Sequence, residues 1–243
     1  MIKDLFTQMI YRIVLCCLSA LAVLLTLGVF YEGTGASGFT WEFIKYYTNI
    51  SNYFVFVVSV IVLADNVKRV KAGERYGHNK KVRTLKFMTT IMIMVTFLVY
   101  SILLGNPFSA DFWLSLGNMA KHVVVPVLFI LDFFLFDEHG TVGVLDPLKS
   151  VVIPLIYVGY IMILGAAIEG FKYPYFFLDV NELGYGGVAV WVLILLVVFI
   201  AIGYLMWLYD KLTKVNGKWK LVFKRPAKIS GEMSEENSAE GDK

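Results

Sequence analysis

The sequence predicts an all-α, polytopic membrane protein, a bundle of six transmembrane helices with both termini in the cytosol. Three observations lead there: an apolar composition, its grouping into blocks long enough to cross a bilayer, and the confinement of basic residues to alternate loops. Of 243 residues, 58% are hydrophobic and 17% are charged, whereas a soluble domain carries about 25% charged residues. The mean hydropathy of +0.69 agrees. A helix needs roughly 20 apolar residues to span the hydrocarbon core, so six spans use about half of such a chain.

The spans read 9–30, 44–64, 87–105, 119–136, 151–168 and 188–209. The first has Lys3 and Arg12 near its start and continues through Val29-Phe30, too long for the core of a cleaved signal peptide. A glycine-rich turn, Gly33 to Gly38, leads to Trp41 and Phe43, which suit a membrane interface. The second span precedes the most basic loop, from Lys68 to Lys86. The third leads into a loop holding Asp111, and the fourth ends at Asp137-Glu138-His139-Gly140. The fifth and sixth enclose Tyr173-Pro174-Tyr175. Residues 1–210 form the membrane domain. Residues 211–243, basic and then acidic, are too polar to fold alone and read as a disordered cytosolic tail.

With six spans, the first terminus, the loops after spans two and four and the tail share one side. That side holds all but Lys45, Lys121 and Lys172 of the 22 Lys and Arg residues. The positive-inside rule makes it cytosolic. The net charge of +3 carries no nucleic-acid signature, since no basic helix with interleaved aromatics occurs. Cys16 and Cys17 are adjacent within the first span, so they read as packing residues, not as a disulfide or a zinc site. No metal or cofactor is implied. The implied partners are the bilayer and a lipid ester, and nothing in the sequence sets an oligomeric state.

Polar groups within a span are costly, because hydrocarbon replaces none of the water they lose. Thr48 lies about 6 Å into span two at 1.5 Å rise per residue. His122 enters span four from the same side, at nearly equal depth. Thr48, Ser51 and Asn52 share a helix face by their spacing, as do Asn118 and His122. Threonine plus histidine has a chemical logic: an alcohol nucleophile needs a neighbour to take its proton. Asn49, Asn52 or free backbone N–H groups would steady an oxyanion, and Glu169, closing span five, would orient His122. Each residue has a plainer reading. Thr and Ser commonly bond back to their own helix, and Asn joins helices. Pro126 removes the N–H that would bond the His122 carbonyl, so the helix should bend there. Asp132, near the other end of span four, reads as a hydrogen-bond or ion-pair partner, and His139 as a solvated loop residue.

Tyr47-Thr48 with Ser51-Asn52, then His122, Pro126 and Leu131-Asp132, then Tyr173-Pro174-Tyr175-Phe176-Phe177-Leu178-Asp179-Val180, form an ordered set. In these the chain resembles the bacterial predicted six-transmembrane-helix proteins, distant relatives of the androgen-induced and androgen-dependent membrane proteins. The resemblance covers roughly 46–209. It departs at Phe176, where the bacterial pattern often has a second proline. Eukaryotic relatives hydrolyse fatty acid esters of hydroxy fatty acids with an intramembrane threonine and histidine. The resemblance therefore implies a hydrolase with Thr48 as nucleophile and His122 as base. The alternative is a non-enzymatic lipid-binding or transport protein whose polar cavity is lined by the same residues.

Overall fold

The computed structural model describes residues 4–27, 42–73, 79–105 and 116–213. Residues 28–41, with the glycine-rich turn, and 214–243, most of the expected tail, lie outside the described residues, as do Arg75, His78 and Asp111. Six helices are long and apolar enough to cross a membrane.

Helix α1 is Leu5–Thr26, started by the Asp4 carboxylate, which accepts from the Thr7 N–H at 2.8 Å. The short α2, Glu42–Lys45, leads into α3, Tyr47–Lys71. Helix α3 runs well past the expected end at 64. Its last turn carries Lys68, Arg69 and Lys71, cations that favour the partial negative charge of a helix C-terminus. Helix α4, Lys80–Val99, is started by the Asn79 side chain and ends in a π-turn, Tyr100–Leu104. Helix α5, Leu116–Met119, passes through a second π-turn, Ala120–Val124, into α6, Val125–Phe136. Helix α7, Asp146–Lys149, precedes α8, Val152–Ala167. A 3-10 turn, Phe176–Leu178, precedes α9, Val180–Leu212. Helix α9 thus begins eight residues before the expected span and breaks at Gly184, whose φ of 64° suits glycine.

Helices α1, α3, α4 and α6 pack against one another as a core, and α9 lies against α4 and α7. Tyr157 and Ile161 of α8 meet Tyr175, Phe177 and Val188 in a separate apolar cluster. Helices α3, α4 and α6 carry the most buried spans, whereas α9 is apolar almost all round yet little buried. A helix of that kind belongs against lipid.

One end of the core is held by charge. Arg12 of α1 reaches Asp132 of α6 at 2.9 Å and Asp137 at 3.1 Å, and Lys86 of α4 reaches both carboxylates at 2.5 Å. All four side chains are buried. The reading of Asp132 as an ion-pair partner fits this geometry. Lys86 does not behave as a loop lysine: α4 starts at Lys80, which draws it into the core. His139 is also buried, its Nδ1 3.7 Å from Asp210 Oδ1. Removing one member of a buried ion cluster leaves an uncompensated charge, at a cost of about 3–5 kcal/mol. Lys86→Met should therefore lower the thermal midpoint in detergent sharply. Lys86→Met/Asp137→Asn, which keeps the cluster balanced, should recover part of the loss, and equal midpoints for the two variants would contradict this account.

Candidate functional site

The first residues of a helix have N–H groups with no partner in their own helix. Tyr46, at the N-cap of α3, is extended and supplies no side-chain cap. Tyrosines from elsewhere fill the gap. The Thr48 N–H donates to the Tyr175 hydroxyl at 3.3 Å, and the Tyr157 hydroxyl donates to the Lys45 carbonyl at 2.7 Å. The start of α3 is thereby tied to α8 and to the segment before α9.

Thr48 is buried, and its carbonyl accepts from Ser51 Oγ at 2.9 Å and Asn52 Nδ2 at 2.8 Å. Ser51 Oγ lies 3.0 Å from Thr96 Oγ1 of α4. Asn52 Nδ2 also donates to the Lys121 carbonyl at 3.0 Å. One carboxamide thus joins the Thr48 turn to the segment that carries His122.

The local fold at His122 follows from Pro126. Proline gives no N–H to the carbonyl four residues back, and the chain widens here: the Val125 N–H reaches the Ala120 carbonyl, five residues away. His122 is buried on this π-turn, with its ring stacked on Tyr100, centroids 3.4 Å apart and planes 15° apart. Tyr100 sits on the other π-turn, closed by a 2.6 Å bond from the Gly105 N–H to the Tyr100 carbonyl. A Cβ at Gly105 would stand 2.6 Å from the Tyr100 ring, so glycine is what admits this ring position. Among the described residues, His122 Nδ1 and Asn52 Oδ1 are buried without a hydrogen-bond partner.

A cleft with about 660 Å³ of empty space, part of it open to the surroundings, lies between α3, α4, α8 and α9. Its lining includes Tyr47, Thr48, Thr96, Tyr157 and Tyr175 together with apolar residues such as Val99, Leu104, Val158, Leu195 and Phe199. No charged side chain lines it. Such a cleft suits an uncharged ligand with a long apolar part.

The structure brings some of the sequence candidates together and not others. Thr48 lines the cleft, whereas His122 does not, and no hydrogen bond joins the two among the described residues. Asn52 is the link between their segments. Ser51 stands behind Thr48, against Thr96. Asn49 is buried but does not line the cleft. Asn118 is half-buried one turn before His122. Glu169 is exposed beyond the end of α8, and no hydrogen bond or ion pair brings it to His122. Sequence reasoning missed Tyr47, Tyr100, Tyr157 and Tyr175 as site residues. Tyr47 and Tyr175 stood within the singled-out stretches, but as pattern markers, since a tyrosine at a helix start shows no chemistry until its hydroxyl is placed.

Gly105→Ala should push the Tyr100 ring off His122. In histidine-labelled protein, with the signal assigned through His122→Gln, the ring-current shift of His122 should shrink. An unchanged shift would show that Tyr100 stays in place without glycine. Compared with protein-family models, curated proteins and solved structures, the chain matches none.

Proposed function

We propose that the protein is an intramembrane threonine hydrolase that cleaves lipid esters, such as fatty acid esters of hydroxy fatty acids. The observation that carries this reading is the position of Thr48, in the lining of a largely apolar, uncharged cleft. In this reading an acyl chain lies along Val99, Leu195 and Phe199, with its carbonyl at Thr48, all of which line the cleft. Thr48 Oγ attacks the carbonyl carbon. On this account His122 takes the proton through an intervening water, a route that general-base catalysis tolerates. The unpartnered His122 Nδ1 and Asn52 Oδ1 support this, because buried polar atoms of that kind commonly hold an ordered water. In this reading both termini face the cytosol of a bacterial cell, and the substrate enters sideways from the outer leaflet.

A second reading is a non-enzymatic lipid-binding or transport protein. The missing hydrogen bond between Thr48 and His122 favours it. Purified protein assayed on medium-chain acyl esters and hydroxy-fatty-acid esters separates the two. We expect Thr48→Ala to abolish turnover and His122→Ala to lower it by about 100-fold or more, the range for a general base. Covalent labelling by a serine/threonine-hydrolase probe should disappear in Thr48→Ala. Turnover indifferent to both substitutions removes the enzymatic reading.

The pH dependence has a defined sign. A base works in its unprotonated form, so the rate should fall as acid protonates His122 and rise to a plateau as pH increases. A rate that falls as pH rises through the neutral range contradicts a neutral-histidine base.

A further inference from the structure

Acyl transfer needs hydrogen-bond donors aimed where the carbonyl oxygen gains charge. The donors that the sequence suggested are engaged elsewhere. Both protons of Asn52 Nδ2 have acceptors, the Thr48 and Lys121 carbonyls. The Thr48 N–H is held by Tyr175. Tyr157 donates its proton to Lys45, and Thr96 Oγ1 bonds the Met92 carbonyl or Ser51. Asn49 does not line the cleft.

Two cleft hydroxyls are differently placed. Tyr175 is 8% exposed, and its oxygen accepts from the Thr48 N–H. The Thr48 side chain lies beside that hydroxyl. The Tyr47 hydroxyl is buried in the same lining with no hydrogen-bond partner at all. Both rings are fixed by packing: Tyr175 stacks on Phe177 with centroids 5.0 Å apart, and Tyr47 leans on Tyr157 at 5.2 Å. Buried hydroxyls without an acceptor are rare in folded proteins and call for an explanation.

We infer that the Tyr47 and Tyr175 hydroxyls form a donor pair for the carbonyl oxygen of an uncharged acyl ester bound in the cleft. Burial raises the Tyr175 phenol above its ordinary value, so it stays a neutral donor. Applied to the hydrolysis proposed above, on which this part of the inference rests, the steps balance. The Thr48 Oγ–carbon bond forms, the carbonyl π pair moves to oxygen, and the two phenols hold that oxyanion while His122 receives the Thr48 proton through water. Collapse expels the alcohol, which leaves with that proton. Water then attacks the acyl-threonine by the same route and regenerates Thr48. The uncharged lining selects a neutral carbonyl at this point. A carboxylate or phosphate on the substrate would have to lie outside the cleft.

The test has two arms on full-length protein in detergent. In the first, Tyr47→Phe and Tyr175→Phe keep the rings and remove the hydroxyls. Loss of one oxyanion donor costs about 100-fold or more in kcat, so Tyr175→Phe should do so while KM changes less than about threefold. Tyr185→Phe, on an exposed ring, should match the unsubstituted protein. Equal kcat in unsubstituted protein and both cleft variants overturns the inference.

The second arm needs no turnover. Ethyl decanoate carrying carbon-13 at its carbonyl is bound to Thr48→Ala, and the carbonyl stretch is read by difference infrared spectroscopy. The band should lie lower in frequency than in Thr48→Ala/Tyr47→Phe/Tyr175→Phe, or in either single Phe variant on the same background if the triple variant is unstable. A lowered band without turnover in the unsubstituted protein leaves the donor pair standing and removes the hydrolase reading. An unshifted band, or no bound ester, overturns the donor pair even where hydrolysis is observed.

Discussion

Four buried charges hold this bundle together. Arg12, Lys86, Asp132 and Asp137 come from α1, α4 and the end of α6, and they balance to zero. In a bilayer no aqueous alternative exists for any of them, so each helix is fixed in rotation and depth by the others. Apolar contacts cannot do this, because lipid tails are as apolar as the helix faces. The cluster therefore sets the register of α1, α4 and α6, and through α4 and α6 the levels of both π-turns.

At the opposite end, the polar groups are organised around the start of α3. Side chains take the place of a missing N-cap, and Asn52 ties the first turn of α3 to the backbone at Lys121. The two ends differ in kind. The charged end is built on ion pairs, whereas the other holds the buried, unpartnered Tyr47 hydroxyl, Asn52 Oδ1 and His122 Nδ1. Stability explains the first. The second suits the ligand or water that the proposed function calls for.

The six spans were legible because hydropathy and helix length are local properties. Their ends were less so. Helix α4 takes in Asn79 to Lys86 because Asn79 caps it and Lys86 finds two carboxylates, and neither fact shows in an apolar count. The start of α9 was missed for a similar reason, since Asp179 caps Asn181 at 2.9 Å ahead of a glycine that breaks the apolar pattern. At the site, depth along each helix singled out Thr48 and His122 as polar groups. Rotation about the helix axis was not legible, and it is rotation that turns Thr48 to the cleft and His122 to Tyr100. Pro126 did signal a disturbed ladder, which takes the form of a widened turn.

The π-turn at the end of α4 has a mechanical consequence. Tyr100, its first residue, covers the imidazole of His122, while Leu104, its last, forms part of the cleft wall. Any displacement of Leu104 would have to pass through a turn of only five residues to reach Tyr100. One turn of five residues thus borders both the wall of the cleft and the ring that covers the histidine.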